Sequence, residues 1–419
     1  MQRHLAIVLG IRPDVIRCAL VLNALRAQRR HKMTFIWSGQ HYSDNLKDVF
    51  FRELGVAPPD IELGAHGEND AEVSSDVIRK LYPVLAQLRP DAVMFLGDTN
   101  TVLGCIAAAQ LNIPIVHFEG CWHSYDWRMP EDKYRTIIDQ LSDVIYTYFP
   151  EYKYQGIVGG LNPKSIVVTD GNPIVEILQT YYFAQRAKFD AMATPTFFAS
   201  RGLTKGEYYL MTCHRRENVH IRPSFEAILR LIGRTSRTVY FPASYRTQKV
   251  LQEYGLTLPS NVKMVDPIGY LEFVALITNS RGVITDSGTV VEETCVLQIP
   301  SLQVRKATER PQTYDVGSSV KFDPDRAADY NIDTLYAKFE ALHGKTWPNP
   351  MGDGRASERI VADLLRRLDE TDSGSGPGFR MHEPALSHFW VGRQFCEDGL
   401  PIPATEQHTS ATLAKAAVA

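Results

Sequence analysis

Two carboxylates that each follow a short apolar run are the strongest candidates for chemistry in this sequence. Asp98 follows the run at residues 92–96, and Glu119 follows the run at residues 115–118. Such runs predict buried strands, and residues 102–111 between them are long enough for a crossover helix. Because parallel strands joined in this way end at one edge of a sheet, the two carboxylates should face the same crevice. A pair of acids in one crevice indicates proton transfer.

The loop after the first predicted strand has features that could bind an anion. Pro13 and Asp14 suit the first turn of the next helix, so free backbone N–H groups at its start should point into the crevice. Arg12 and Arg17 lie near that start, where they could clamp a phosphate or, with about equal weight, form an exposed arginine pair. The loop has one glycine, Gly10, and lacks the Gly-x-Gly-x-x-Gly fingerprint, which argues against a reaction that uses NAD.

The second half of the chain offers further anion sites at strand ends. His214 follows the predicted strand at residues 208–212 and precedes three charged residues, so an anion site and a solvated loop histidine are equally good interpretations. Ser287 and Gly288 follow the predicted strand at residues 282–285 at the start of a helix. Their backbone N–H groups could hold a diphosphate, although simple helix capping explains the same residues.

Length and composition predict a soluble protein with two domains. The chain has 419 residues, of which 44% are hydrophobic, and this exceeds what one core usually supports. The formal net charge of -3, without a basic stripe, argues against a nucleic-acid partner. The six cysteines form no Cys-x-x-Cys pair, and no apolar run is long enough for a signal peptide or a membrane span. We therefore expect a cytoplasmic protein that has reduced thiols and binds neither zinc nor a membrane.

Strand and helix patterns alternate in both halves, which predicts an α/β fold with two sheets and a cleft between them. The break at Asp170-Gly-Asn-Pro173 divides the chain into an N-terminal domain at residues 1–170 and a nucleotide-binding domain at residues 171–358. A closing helix at residues 359–370 should pack back toward the N-terminal domain. Residues 371–419 are rich in Gly, Ser, Pro and Ala, and we expect a largely poorly ordered extension.

Carboxylates in one domain and phosphate-binding loops in the other suit a nucleotide-linked sugar. A glycosyltransferase would pass the sugar to an acceptor, whereas an epimerase or hydrolase would act on the sugar itself. Several acids favour the second class. The C2 hydrogen of an N-acetylhexosamine has no adjacent carbonyl, but departure of the nucleotide from C1 makes it acidic enough for a carboxylate to drive elimination to a glycal. Re-addition of the nucleotide with protonation on the other face inverts C2 without a redox cofactor.

Eight short motifs carry a family resemblance. They are Gly10-x-Arg12-Pro13, Ser38-Gly-Gln40-His41, Gly97-Asp98-Thr99, His117-x-Glu119, Arg128-Met-Pro130-Glu131, His214-Arg-Arg-Glu217, Thr285-Asp-Ser287-Gly288 with Glu292-Glu293, and Thr308-Glu-Arg310-Pro311. In this order and spacing, over residues 5–368, the chain resembles the non-hydrolysing UDP-N-acetylglucosamine 2-epimerases. The resemblance implies an isomerase with two Rossmann-like domains of the GT-B type. It also implies a metal-independent homodimer that binds UDP in the interdomain cleft and needs no cofactor.

The same resemblance assigns roles to single residues. The acid-base carboxylates would be Asp98, Glu119 and Glu131. The diphosphate contacts would be Arg12, Ser287, Gly288 and His214, the last counted with the catalytic set. The ribose hydroxyls would be bound by Glu293, and the phosphate or sugar side by Arg310. Arg135 matches the family's arginine after the Pro-Glu pair, and Arg17 stands where the family has a lysine near the catalytic aspartate.

The chain also departs from the family pattern. Glu119-Gly-Cys-Trp122-His123 replaces a Glu-Ala-Gly-Leu-Arg run, so an arginine beside the sugar pocket becomes His123 and Trp122 could narrow that pocket. Val291 replaces the glutamine before the paired acids. Ser43 and Ser244 replace the glutamine and histidine of a second nucleotide-sugar site in bacterial members regulated by their own substrate. We therefore predict that this allosteric site is absent or altered.

Three alternatives to an epimerase stay open at this level. A hydrolysing relative would release free sugar and UDP, and a GT-B glycosyltransferase would tolerate Asp98→Asn far better than an eliminase. A nucleotide-binding protein without catalysis is disfavoured by the three retained acids.

Overall fold

The computed structural model describes residues 2–39 and 48–380. Thirteen strands are arranged in two sheets: β1 His4–Leu9, β2 Lys32–Trp37, β3 Ile61–Glu62, β4 Ala92–Leu96, β5 Ile115–Phe118, β6 Val144–Thr147, β7 Ile166–Val168, β8 Tyr208–Thr212, β9 Thr238–Pro242, β10 Val262–Val265, β11 Gly282–Thr285, β12 Ser301–Val304 and β13 Ser319–Phe322. Most of these strands are short apolar runs buried along their whole length, as central strands of parallel sheets are.

The helices lie between the strands and after the last one: α1 Arg12–Ala27, α2 Asp48–Glu53, α3 Asp70–Leu88, α4 Cys105–Gln110, α5 Pro130–Leu141, α6 Pro150–Val158, α7 Ile174–Tyr181, α8 Arg186–Met192, α9 Pro195–Ala199, α10 Arg216–Val219, α11 Arg222–Gly233, α12 Tyr245–Glu253, α13 Tyr270–Thr278, α14 Gly288–Val296, α15 Gln312–Asp315, α16 Ile332–Glu340 and α17 Ala356–Ser373. Short 3-10 segments span Asn100–Gly104, Phe183–Gln185 and Pro324–Asp329.

Both sheets are doubly wound and parallel in every described pair. The first has the order β3-β2-β1-β4-β5-β6-β7 and the second the order β10-β9-β8-β11-β12-β13. The strand order reverses between β1 and β4 and again between β8 and β11. Open α/β sheets bind ligands outside the carboxyl ends of the strands at such reversals. The predicted α/β fold with two Rossmann-like sheets is thus confirmed, and each reversal is followed by residues that the sequence singled out.

Several elements differ in extent from the sequence prediction. The crossover predicted as one helix at residues 102–111 is a 3-10 segment followed by the short α4. The two-residue β3 and the half-buried β13 were not predicted, because neither shows a run of apolar residues. Helix α17 is longer than residues 359–370 and ends at a left-handed Gly374.

Helix α17 packs against α1 of the first sheet. Its buried residues Ile360, Leu364 and Leu368 belong to the same hydrophobic cluster as Val15 and Leu22. The chain remains packed beyond the helix, since the Gly378 carbonyl accepts a 2.8 Å hydrogen bond from Arg367 and Phe379 is buried. Part of the segment expected to be poorly ordered is therefore structured, while residues 381–419 lie outside the described part.

The described residues contain neither a membrane-spanning helix nor a metal-binding group of side chains. No helix within 2–39 or 48–380 is long and apolar enough to cross a bilayer. The same ranges contain no group of three or more histidine, cysteine or acidic side chains that could hold a metal ion.

Candidate active site

A cavity of about 510 Å³ lies between the carboxyl ends of the two sheets. The residues that the sequence predicted for the site and that line it are Arg12, Arg17, Asp98, Glu119, Glu131, His214, Ser287, Gly288, Glu293 and Arg310. Arg135 does not line the cavity and is buried behind it. The two sheet reversals therefore bring together side chains that lie as much as 298 positions apart, from Arg12 to Arg310.

Asp98 follows β4 and is held by Arg135. The Arg135 Nη2 atom lies 2.7 Å from Asp98 Oδ2, and Arg135 Nη1 also donates to the backbone carbonyl of Glu119. Burial opposes ionisation of Asp98, but the guanidinium groups of Arg135 and Arg215 hold its pKa below the usual range. Asp98 is therefore a carboxylate at neutral pH and can accept a proton.

Glu119 follows β5 and sits among guanidinium groups from both halves of the chain. Its carboxylate lies 2.5 Å from Arg17 Nη1, 3.5 Å from Arg310 Nη2 and 3.7 Å from Arg135 Nη2. Tyr148 donates a 3.2 Å hydrogen bond to the same carboxylate. The backbone of Glu119 has φ of 75°, a left-handed conformation that is costly for a non-glycine residue. This fixes the direction in which the carboxylate points.

Glu131 lies in the first turn of α5, on the side of the cavity formed by the first sheet. Its Oε2 atom is buried and has no hydrogen-bond partner among the described residues. Burial raises the pKa of Glu131 above its usual range, although Arg215 opposes this shift. Asp98 and Glu131 thus have pKa values shifted in opposite directions, which is the pattern of an acid and a base that share one site.

Two helix N-termini face the cavity from opposite sheets. Helix α1 begins at Arg12, and α14 begins at Gly288 with Ser287 as its N-cap. The Ser287 side chain makes no capping hydrogen bond, so its hydroxyl is open to other partners. A Cβ atom on Gly288 would lie 2.4 Å from the Arg310 guanidinium, so a larger residue there would displace that side chain. At α1 the N–H groups of Gly10 and Ile11 already donate to Asp14, so the N–H groups at the start of α14, beside Arg310, form the better site for a diphosphate.

His214 follows β8 and lies beside this anion site. Its backbone N–H donates to Asp286 at 2.9 Å. Its side chain opens onto the cleft, where partial removal from water, supported by Arg215 and Arg12, lowers its pKa below the usual range. The ring is therefore uncharged at neutral pH.

Comparison with known proteins gives the same family as the sequence motifs. The family model described as UDP-N-acetylglucosamine 2-epimerase matches residues 23–365. The UDP-N-acetylglucosamine 2-epimerase of Methanocaldococcus jannaschii is 33% identical over 372 residues, which cover 86% of this chain and 98% of that protein. This chain belongs to the UDP-N-acetylglucosamine 2-epimerase family. It is an enzyme of the isomerase class, as the eight motifs predicted.

Other relatives show how far this epimerase family extends. A crystal structure of the M. jannaschii enzyme in complex with UDP-GlcNAc and UDP superposes with a TM-score of 0.77 at 32% identity, covering 87% of this chain and 99% of that one. The UDP-2,3-diacetamido-2,3-dideoxy-D-glucuronate 2-epimerase of Pseudomonas aeruginosa is 29% identical over 372 residues, or 86% of this chain and 99% of that protein. The family therefore includes epimerases whose names refer to different sugars.

Glu293 lines the epimerase cavity on α14. Burial raises its pKa to about 8, although Tyr270 and the cations Arg17 and Arg12 oppose this shift. Its Oε1 atom has no hydrogen-bond partner among the described residues. Tyr270 interacts with this carboxyl group, and its open Oε1 atom could bind a hydroxyl group of a ligand, as the resemblance implies for the ribose.

Some cavity residues had no role in the sequence prediction. Asp14 accepts hydrogen bonds from the N–H groups of Gly10 and Ile11, both at 3.1 Å, and burial raises its pKa to about 7. Arg215 lines the cavity beside the acids. Sequence patterns assign Asp14 only to the first helical turn and Arg215 only to its motif. The interactions of Arg215 with Glu131 and Asp98 cross the cleft and therefore leave no local signal in the sequence.

The two departures after Glu119 are Trp122 and His123. Both are absent from the cavity lining, which corrects the expectation from the resemblance that they border a sugar pocket. The Trp122 ring is buried beneath Arg310, whose guanidinium carbon lies 4.2 Å from the ring centroid, and it packs against Tyr148. Trp122 therefore supports Arg310 from behind instead of contacting the ligand space.

Ser244, one of the two residues used to predict loss of the allosteric site, lines the cavity and caps α12 through a 3.2 Å hydrogen bond from the Thr247 N–H. The other residue, Ser43, lies outside the described residues, as do Gln40 and His41. That the allosteric site is absent or altered therefore stays a prediction.

Proposed function

We propose that this epimerase inverts C2 of a UDP-linked N-acetylhexosamine, UDP-N-acetylglucosamine or a modified relative, through a glycal intermediate. The observation that carries the proposal is the pairing of Asp98 and Glu131 in one cavity, one with a lowered and one with a raised pKa. Family membership supports C2 as the reacting centre, because the relatives are named for epimerisation there.

In the proposed elimination, one of these carboxyl groups removes the C2 proton as the bond from C1 to the β-phosphate oxygen breaks. The electron pair of the C2–H bond forms the C1–C2 double bond, and UDP leaves with the electrons of the C1–O bond. UDP then adds back to C1, and the other carboxyl group protonates the opposite face of C2. Asp98 suits the base because its arginine neighbours favour the carboxylate, and Glu131 suits the acid because burial raises its pKa.

The phosphate side supports departure of UDP. Arg12, Arg310 and the N-termini of α1 and α14 place positive charge where the leaving diphosphate develops negative charge. Neutral His214 can donate a hydrogen bond there without adding charge. Glu119, held by three arginines, is assigned to orient the sugar and to keep those cations in place, and it completes the acid-base set.

Solvent exchange tests this mechanism. The enzyme is incubated with UDP-N-acetylglucosamine in D2O, and the products are analysed by NMR and mass spectrometry. Deuterium at C2 of sugars that stay linked to UDP, in both epimers, is expected. Labelled free sugar would instead indicate the hydrolysing reaction. If neither this substrate nor UDP-2,3-diacetamido-2,3-dideoxy-D-glucuronate exchanges at C2, the proposal is wrong.

Single variants separate the two faces of C2. If Asp98 and Glu131 serve opposite faces, Glu131→Gln should exchange the C2 hydrogen of one epimer without inversion, and Asp98→Asn should do the same for the other epimer. Epimerisation should fall by about 100- to 10,000-fold in each variant. Asp190→Asn, on the exposed face of α8, is the matched control and should keep full activity.

We also propose that the enzyme is a cytoplasmic homodimer that needs no metal or organic cofactor. Exposed apolar residues Ile137 and Leu141, one turn apart on α5, offer a surface for a second copy. Light scattering should give twice the chain mass, and activity should survive prolonged treatment with EDTA. A monomeric mass or a metal requirement would contradict this proposal.

A further inference from the structure

A buried chain of four polar side chains lies behind the three proposed acid-base residues. His117 Nδ1 is 2.6 Å from Asp139 Oδ1, and the other carboxylate oxygen of Asp139 is 3.2 Å from His123 Nε2. His123 Nδ1 lies 3.4 Å from Asp132 Oδ1. Asp139 is thus held between two imidazole rings, and its side chain is 2% exposed.

Both ring nitrogens of each histidine in this chain face an oxygen. His117 Nε2 is 2.7 Å from the carbonyl oxygen of Gly97, so His117 bridges that carbonyl and Asp139. Burial opposes a charge on His123, yet its hydrogen bonds to Asp132 and Asp139 raise its pKa to about 9. Burial likewise opposes ionisation of Asp139, but His117 and His123 hold its pKa below the usual range. The two histidines therefore hold the Asp139 carboxylate from both sides.

Each contact of this chain fixes backbone next to an acid of the cavity. Gly97, held by His117, directly precedes Asp98. The N–H of Cys121, two residues after Glu119, donates to Asp139 Oδ2 at 2.9 Å. Asp132, the partner of His123, directly follows Glu131 and accepts from the N–H of Ser124 at 3.0 Å. One carboxylate thus connects helix α5, which carries Glu131, with the segments that carry Asp98 and Glu119.

Two local features show that the contact with His117 is closely fitted. A Cβ atom on Gly120 would lie 2.6 Å from Asp139 Oδ1 and 2.9 Å from His117 Nδ1, so glycine leaves the space in which their hydrogen bond forms. On α5, Glu131, Arg135 and Asp139 follow one another at intervals of four residues and share a face. One face of α5 therefore carries Glu131, Asp139 and Arg135, the arginine that holds Asp98.

We propose that Asp139 is a positioning residue that holds Asp98, Glu119 and Glu131 in the arrangement needed for proton transfer at C2. This inference rests on the proposed epimerase function. Asp139 does not line the cavity and has no contact with the ligand space, so it acts through His117, Cys121 and His123. A displacement of about 1 Å between reacting groups can lower a rate by about 100-fold, which sets the effect expected from releasing these loops.

Two substitutions at Asp139 separate hydrogen bonding from packing. In Asp139→Asn, the amide oxygen can accept from Cys121 and His123 while the NH2 group faces His117 Nδ1 as a donor, which leaves the contact with Gly97 intact. Its kcat should stay within about tenfold of wild type. Asp139→Leu has similar volume without these bonds, and kcat should fall by about 100-fold while KM changes by less than about threefold.

The control is Asp76→Asn, a buried aspartate of α3 that pairs with Lys80 at 2.9 Å and does not line the cavity. It should lose some thermal stability and keep wild-type kcat. If Asp139→Leu does not fold, His123→Leu and His123→Gln replace it: the Gln variant can still donate to Asp139 and should keep more kcat than the Leu variant.

The outcomes distinguish this inference from the proposed function. Wild-type enzyme without C2 exchange would overturn the function. Wild-type exchange together with an Asp139→Leu variant that binds UDP and keeps kcat within about threefold would overturn the positioning role alone. A parallel loss of kcat in Asp139→Leu and Asp76→Asn would do the same, because it would indicate a general effect on stability.

Discussion

At the scale of single residues, the environment of each carboxyl group decides its chemistry. Asp98 and Glu131 are chemically similar acids in one cavity, yet Arg135 lowers the pKa of Asp98 and burial raises that of Glu131. Glu119 lies between them in sequence but is held by three guanidinium groups. Sequence motifs identify all three as carboxyl groups of one site. Their different roles follow from the side chains that surround each of them in the structure.

Glu293 should make stability depend on pH. Its pKa rises from the usual 4.5 to about 8 in the folded protein, so the folded state binds more protons than the unfolded state between these values. The free energy of unfolding should therefore fall as the pH rises from about 5 to about 8. Glu293→Gln removes this titration, and the variant should gain stability over wild type across that interval, up to roughly 3–5 kcal/mol.

Urea unfolding of both proteins at several pH values measures this difference. Glu68→Gln, an exposed acid outside the cavity, should follow wild type at every pH. A Glu293→Gln variant whose stability stays parallel to that of wild type would show that the carboxyl group titrates at its usual pKa.

At the scale of elements, two helices assemble most of the site. Helix α5 presents Glu131, Arg135 and Asp139 on one face, and α14 presents its N-terminus and then Glu292 and Glu293. Arg310 connects α14 to the first sheet, since its Nε lies 2.5 Å from Glu292 and its Nη2 lies 3.5 Å from Glu119. The position of α14 relative to the first sheet therefore depends on these contacts of Arg310.

Gly288→Ala should weaken UDP binding. The added methyl group would overlap the Arg310 guanidinium and displace it from Glu292 and from the anion site. We expect the dissociation constant for UDP, measured by calorimetry, to rise by about tenfold or more. Gly159→Ala, at the end of α6 where the nearest atom to a new Cβ is 3.3 Å away, is the control and should bind UDP normally. Unchanged affinity in Gly288→Ala would contradict this role of Arg310.

At the scale of the whole molecule, contacts between the halves of the chain hold the cavity together. Arg17 of the first sheet donates a 2.7 Å hydrogen bond to Thr289 of α14, and Arg128 pairs with Asp325 at 2.6 Å. Helix α17 returns from the second sheet to pack against α1, which carries Arg12 and Arg17 to the cavity. The last helix thus stabilises a wall of the site to which it contributes no side chain.

Leu364→Ala should test this contact. Leu364 is fully buried between α17 and α1, and truncating a buried leucine costs about 2–5 kcal/mol. Thermal unfolding should show that loss, together with a higher KM because α1 is less firmly held. Glu358→Ala, on the exposed side of the same helix, should change stability by less than about 0.5 kcal/mol. Equal effects of the two substitutions would rule out α17 as an anchor for α1.

Much of the fold was predictable, because buried parallel strands appear as continuous apolar runs and alternating strands and helices leave few topologies. The predictions failed where an element lacks such a run, as in β3 and β13, or where neighbours set its length, as in α17. Ser43, one of the two residues on which the allosteric prediction rests, lies outside the described residues.

By itself, the sequence determined the two-sheet α/β architecture, the family and the positions of the acids and anion loops. Each of these follows from local patterns and from the rule that parallel strands end at one edge. The tertiary structure alone decided that Arg135 lies behind the cavity, that Trp122 supports Arg310, and that Asp139 connects α5 with the segments that carry Asp98 and Glu119. Such contacts join residues distant along the chain, and the shifts in pKa depend on burial and distance, which no local pattern records.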